Sequence, residues 1–344
     1  MHPGRTTPRR DDDVIARCRA LLEPALREAV SELHPWGARM AAFALGWPDA
    51  EGHVSGGGGG AGGGGKILRP AIAMLSAEAV GGTAEQALPG AVAVELVHAF
   101  SLVHDDIIDR DEQRRHRDAL WKAYGVGPAV LAGDSLLALA VSRLSGHAEA
   151  MRHLSAALTE LVQGQTADMT FETRPWTGPE EVTVEEYTRM AAGKTGSLLA
   201  AAAAAGTALG GAPALSGRMW GMGLDLGIAF QIADDVLGIW GDPRVTGKPV
   251  HSDLRRDKKT LPVLAALAVG GPAAEELSEV LAKGAGDEES ARRAARLVEE
   301  AGGRALAEEV ADRHLSAALA VMDEHLPGAA ALRALCASVT NRTH

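Results

Sequence analysis

Residues 91–109 read AVAVELVHAFSLVHDDIID. The run AVAVELVHAFSLV carries a single acidic residue, Glu95, and ends on three aspartates. An apolar stretch of this length is longer than an ordinary strand and suits a buried helix. On that helix Asp105 and Asp109, four apart, share a face. Asp106 lies beside them, about 100° round the axis. Gathering such carboxylates is unfavourable unless a cation neutralises them. Hard oxygens of this kind suit Mg²⁺, which takes one or two carboxylates and leaves places for phosphate and water. Carboxylates that close an apolar helix are expected to face a cavity, not open solvent.

Working outward, helical periodicity dominates and strand signals are scarce. Residues 89–110, 128–145, 150–170, 184–210, 217–240 and 259–270 read as helices separated by Gly, Pro or polar clusters. Leu21, Leu22, Ala25 and Ala29 repeat at helical spacing near the start. The chain is 46% hydrophobic but 3% aromatic, so its core is built from Ala, Leu and Val, of which Ala and Leu are strong helix formers. The expectation is an all-α fold with a single large domain over 14–344, after a disordered tail at 1–13. Residues 173–183 (TRPWTGPEEVT) read as a surface connection, and 271–303 as short solvated helices.

The net charge of −11 argues against a nucleic-acid or anionic-membrane partner. Two distant cysteines, Cys18 and Cys336, suit a reducing, cytoplasmic setting and give no disulfide framework. No apolar segment of signal type follows the charged start MHPGRTTPRRDDD. The uncharged stretch 196–217 (GSLLAAAAAAGTALGGAPALSG) approaches a membrane span in length. Its Ala, Gly and Pro content reads instead as a close-packed internal helix, and an integral membrane protein is not expected.

A second acidic pair, Asp234 and Asp235, closes another apolar run in AFQIADDVLGIWGD. Facing helices of a bundle can project two such sets into one interior site. Basic residues accompany both: Arg114 and Arg115, Lys66 and Arg69, Lys194, Lys248, and Lys258 with Lys259 beside Asp253. Arginine forks match phosphate oxygens and lysine supplies a point charge. Together these residues describe a site for Mg²⁺-bridged polyphosphates. The glycine run GGGGGAGGGGK at 56–66 invites a nucleotide P-loop, but Ile67 stands where the Mg²⁺-binding hydroxyl belongs. A mobile loop over 47–65 is the better reading.

The stretches GGKILRP (64–70), ELVHAFSLVHDDIIDRDEQRRHR (95–117), GDSLLALA (133–140), GQTAD (164–168), KTGSLL (194–199) and FQIADDVLGIWGDPRVTGKPVHSDLRRDKKTLP (230–262) resemble the trans-isoprenyl diphosphate synthases, the polyprenyl synthetase family. The resemblance implies an all-α bundle around a deep cavity, a homodimer, and Mg²⁺, roughly three ions per site, held jointly with substrate phosphates. It implies condensation of isopentenyl diphosphate with an allylic diphosphate. By position, Asp105, Asp106, Asp109, Asp234 and Asp235 would be metal ligands or their supports. Arg114, Lys194, Lys248 and Lys258 would bind the allylic diphosphate. Lys66, Arg69, His98 and Arg115 would hold isopentenyl diphosphate. Thr195 and Gln231 would place oxygens near the developing cation, with Gln165 and Asp168 lining the cavity.

Three positions depart from the family pattern. Ile67 replaces a common arginine, Gly238 the last aspartate of the second motif, and Asp118-Ala119 a usual Pro-Thr. Phe100 and Ser101, five and four residues before Asp105, point toward the cavity floor. One aromatic plug with a small neighbour resembles synthases of the twenty-carbon geranylgeranyl product. Farnesyl diphosphate synthase is the alternative, and a regulatory subunit of a heteromeric synthase the non-catalytic one. A class I terpene cyclase is disfavoured, because it would carry an Asn/Ser/Glu triad in place of the second Asp pair.

Overall fold

A computed structural model of the chain describes residues 10–47, 67–114, 117–243 and 250–339. Lys66, Arg115 and Lys248, and the glycine run itself, lie outside them. The chain divides into two compact units.

The first unit comprises Met1–Leu154, Ala201–Gly217 and Gly328–Leu335. It holds α1 (Arg10–Ser31), α2 (Pro35–Ala44), α3 (Leu68–Ala79), α4 (Leu88–Ile108), α5 (Leu120–Tyr124) and α6 (Val126–Leu144). α4 is the central helix: α1, α3, α5 and α6 all pack against it. Pro89 opens α4 at a position where a missing N–H costs nothing. Val92, Val94, Leu96, Val97 and Val103 are buried along it. In α1 the buried face is Cys18, Leu22, Leu26 and Ala29, so Leu21 and Ala25 sit at its edge. α6 is long and apolar enough to cross a membrane by length and composition alone, and it packs along α4.

The second unit comprises Ser155–Ala200, Arg218–Pro327 and Cys336–His344. α7 (Ala148–Glu172) leads into it, followed by α8 (Val184–Ala191), a π-helical turn (Ala192–Gly196), α9 (Ser197–Leu209), of which Ala201–Leu209 belongs to the first unit, and α10 (Ser216–Trp240). Then come α11 (Ser252–Arg255), α12 (Leu261–Val269), α13 (Pro272–Ala282), α14 (Glu288–Glu300) and α15 (Gly303–His325). α16 (Ala330–Ala337) belongs to the first unit as far as Leu335. α8 starts on a full capping box: the Thr183 hydroxyl takes the Glu186 N–H, and the Glu186 carboxylate takes the Thr183 N–H. One core cluster gathers Phe171, Tyr187, Met190, Ile228, Ile232, Val236, Leu261 and Val310. Another joins Ile239 and Leu254 to Leu277, Leu281 and Val298. α13 and α14 therefore bury one face, which the mixed charge of 271–303 conceals.

The uncharged stretch 196–217 becomes α9, only 13 residues long, with Ala200 to Ala205 fully buried. The helices expected at 89–110, 128–145, 150–170, 217–240 and 259–270 all form within a few residues of those bounds. The 184–210 segment differs, since the π turn splits it into two helices.

Candidate active site

The first acidic cluster sits where α4 ends. Asp109 caps the helix, its N–H donating to the Asp105 carbonyl at 2.8 Å. Arg110 then turns the chain with a left-handed φ of 55°, a conformation usually left to glycine. The Asp111 N–H returns to the Asp106 carbonyl at 3.0 Å. The reversed chain forms a two-residue ribbon, β1 (Gln113–Arg114) with β2 (Arg117–Asp118), pairing Gln113 with Asp118 and Arg114 with Arg117. Such short strands leave no alternation for sequence reading to detect. The ribbon is pinned by the Ala119 N–H on the Glu112 carbonyl and the Trp121 indole N–H on the Asp111 carbonyl, both at 2.9 Å.

This reversal lays Arg114 against Asp106. Arg114 Nε lies 2.8 and 3.0 Å from the two carboxylate oxygens, and Nη2 lies 2.7 Å from Oδ1. That fork is the strong bidentate geometry. Asp106 is buried, Asp105 half-buried and Asp109 exposed. Burial holds the Asp106 carboxyl above its usual range against the pull of Arg114. Arg114 is pulled down by burial, but the Asp106 bonds and neighbouring carboxylates outweigh this and hold it high. The structure thus gives Asp106 to Arg114, with Asp105 and Asp109 one turn apart at the negative end of the helix dipole.

In the same unit, the first turn of α3 carries Arg69, whose Nη1 lies 3.4 Å from His98 Nε2 on α4. Ile67 is buried, so this departure from the family pattern serves the core. Phe100 meets His104 edge-on, with centroids 4.7 Å apart. The Ser101 hydroxyl donates to the His98 carbonyl at 2.9 Å.

The second cluster lies on α10. Asp234 is exposed, whereas Asp235 is buried. Asp235 Oδ2 accepts from the Tyr187 hydroxyl and from the Leu261 N–H at 3.1 Å, and Oδ1 accepts from Gln231 Nε2 at 3.1 Å. Gln231 Oε1 in turn takes the Thr195 hydroxyl at 2.6 Å. Lys194 forms an ion pair with Asp168, and Gln165 is half-buried one turn earlier on α7. Burial raises the Asp235 carboxyl to about 6, against the charge of Lys258 and the Tyr187 bond. Burial would lower Lys258, but Asp235, Asp253, Asp168 and Asp234 together hold it above its usual value.

Close helix packing builds this constellation. A Cβ at Gly164 would stand 2.2 Å from the Lys194 backbone nitrogen, and one at Gly227 would stand 2.2 Å from Gly196 Cα. Only glycine lets α7 and α10 approach the π turn this closely. π turns recur at functional sites, and this one carries Lys194 and Thr195.

Gly238 has a specific neighbour. A Cβ there would stand 2.1 Å from Asp253 Oδ2 and 2.5 Å from its Cγ. Asp253, buried on α11, fills the space beside the position where the family carries its last aspartate. In the sequence Asp253 stands only as part of a charged stretch, and nothing there singles out Tyr187.

Among the described residues no three His, Cys, Asp or Glu side chains form a group able to hold a metal alone. The donor set nevertheless fits Mg²⁺, which rarely uses an all-protein cage and completes its shell with water and substrate phosphate. Asp105 and Asp109 are such oxygen donors in the first unit, and Asp234 is one in the second.

The family model described as polyprenyl synthetase matches residues 61–299. The chain belongs to the polyprenyl synthetase family. A (2E,6E)-farnesyl diphosphate synthase of Mycobacterium bovis is 43% identical over 319 residues, covering 90% of this chain and 86% of that protein. A geranylgeranyl diphosphate synthase of Mycobacterium tuberculosis is 41% identical, covering 90% and 88%. The crystal structure of a polyprenyl synthetase from Streptomyces coelicolor A3(2) superposes with a TM-score of 0.86 at 44% identity, covering 95% of this chain and 99% of that one. The chain is a prenyltransferase with the all-α isoprenoid synthase fold, and its family joins isopentenyl diphosphate to allylic diphosphates.

Proposed function

We propose that the chain is a Mg²⁺-dependent synthase of the twenty-carbon geranylgeranyl diphosphate. The observation that carries the metal-assisted chemistry is the division of labour within each acidic pair. Asp106 is committed to Arg114, and Asp235 to Tyr187, Gln231 and the Leu261 N–H. Asp105 is half-buried and Asp109 and Asp234 are exposed, so these are the carboxylates with solvent-facing surface. Bound Mg²⁺ would neutralise the charge that builds on the departing diphosphate.

Arg114, Lys194 and Lys258, with Lys248 on sequence grounds, are assigned to the allylic diphosphate and stabilise it as it leaves. Arg69 and His98, with Lys66 and Arg115 on sequence grounds, hold isopentenyl diphosphate. Binding both anions converts a bimolecular encounter into a positioned one. The allylic C–O bond breaks, and the double bond of isopentenyl diphosphate forms the new C–C bond. A proton then passes to the released pyrophosphate, and the product is one five-carbon unit longer. Thr195 and Gln231 present oxygens to the positive charge.

The Phe100–Ser101 pair supports a twenty-carbon limit. The 43% likeness to a farnesyl diphosphate synthase favours the fifteen-carbon product as the second reading. α6 exposes Val126, Val130, Leu131 and Val141, an apolar face suited to a second copy in a homodimer. Both cysteines are free and buried, which suits a cytoplasmic setting.

The metal assignment is tested by Asp105→Ala and Asp234→Ala in a condensation assay with and without Mg²⁺. Each substitution is expected to cut turnover by about 10²-fold or more while the melting temperature stays near that of the parent. Parental turnover in both variants would remove the assignment.

A further inference from the structure

We propose that Tyr187 is a positioning residue for prenyl transfer, acting through Asp235 to fix which atoms Gln231 and Thr195 present to the substrate. The inference rests on the reading that Gln231 and Thr195 lie beside the developing cation. Tyr187 is the one aromatic residue of α8, and its side chain is 1% exposed. Its hydroxyl donates to Asp235 Oδ2, across a separation of 48 residues in sequence.

The order of bonds fixes the polarity of the whole chain. Asp235 is acceptor-only when ionised. Tyr187 and the Leu261 N–H occupy Oδ2, and so Gln231 turns its NH₂ toward Oδ1. Its carbonyl Oε1 therefore points the other way and accepts the Thr195 proton. With that proton committed, the groups left at the Thr195 end are oxygen lone pairs: those of Oγ1 and the second one on Oε1. Lone pairs attract an electron-poor carbon, whereas N–H or O–H hydrogens repel it. Loss of the Tyr187 donor frees the Asp235 carboxylate to rotate. The Gln231 amide can then turn over, placing its NH₂ where an oxygen stood. The backbones of Gly164 and Gly227 pack directly against the π turn, which leaves Thr195 little room to compensate.

The test is a double-mutant cycle on kcat, with both substrates saturating: Tyr187→Phe in the parent and in Gln231→Leu. In the parent, Tyr187→Phe is expected to lower kcat by about ten- to a hundredfold while each KM stays within about twofold. In the Gln231→Leu background it is expected to change kcat by less than about twofold, because no amide remains to be oriented. Equal losses in both backgrounds would mean a general structural role and overturn the proposal, as would no loss in the parent. Parental kcat in Gln231→Leu alone would overturn the underlying reading of Gln231, a distinguishable failure. If Tyr187→Phe does not fold, fluorinated tyrosines at 187 keep the ring and hydroxyl and alter only donor strength. Their kcat should then vary in the parent and stay flat in Gln231→Leu, and variation in both would overturn the proposal.

Discussion

Gly238→Ala is a sharp test, because two effects of opposite sign compete there. Replacing a glycine inside an exposed helix by alanine normally stabilises by roughly 0.5–1 kcal/mol. At Gly238, on the last turns of α10, the new Cβ would meet Asp253 Oδ2 at 2.1 Å and Cγ at 2.5 Å. Contact with Cγ cannot be relieved by rotating the carboxylate alone, so the Asp253 side chain or α11 must move. The Ser252 hydroxyl, 3.3 Å from both the Gly238 carbonyl and Asp253 Oδ1, ties α11 to the same place. Overpacking of this kind costs about 1–3 kcal/mol, which offsets the helix gain and over most of its range outweighs it. The unfolding entropy of about 2.1 cal/mol/K per residue over 344 residues gives ~0.7 kcal/mol/K. Net of the helix gain the cost is about 0–2.5 kcal/mol, so the expected fall in melting temperature is up to about 3 °C. Thermal melts of Gly238→Ala in the parent and in Asp253→Gly measure it. The substitution should destabilise the parent and become neutral or stabilising once Asp253 is gone. A parental variant that melts higher would refute the steric account of the missing aspartate.

Phe100→Ala should lengthen the products, measured by sizing the alcohols after dephosphorylation, and an unchanged profile would end the plug reading. Lys66→Ala should raise the apparent KM for isopentenyl diphosphate, while shortening 56–63 leaves turnover near the parent value; the reverse pattern would return the glycines to a catalytic role. Arg174 hydrogen bonds, followed by the Thr183 N–H, lower the Glu186 carboxyl from 4.5 to about 2. The folded state then binds fewer protons than the unfolded one, so this contribution is complete above about pH 4.5 and is lost as pH falls toward 2. Melting temperature against pH should fall less steeply over that window in Glu186→Gln than in the parent.

Most of the fold is legible in the sequence because apolar periodicity is long and seldom interrupted: the stretch read as 89–110 is α4 at Leu88–Ile108, and 217–240 is α10 at Ser216–Trp240. The π turn is not legible, since AAGKTG scores as plain helix and the cause lies in glycines of other helices, Gly164 and Gly227. The acidic pairs are legible as pairs. Which member of each is buried depends on a left-handed Arg110 that brings Arg114 back, and on α8 delivering Tyr187. In VEEYTRMA a lone tyrosine among charges reads as surface. Gly238 reads as a loss until Asp253, fifteen residues on, is seen beside it.

The central claim is tested most directly by incubating the purified protein with Mg²⁺, isopentenyl diphosphate and, separately, the five-, ten- and fifteen-carbon allylic diphosphates, then sizing the products. The account predicts condensation that stops at the twenty-carbon product. A product that stops at fifteen carbons would contradict the chain-length assignment, and no condensation with any primer would contradict the catalytic one.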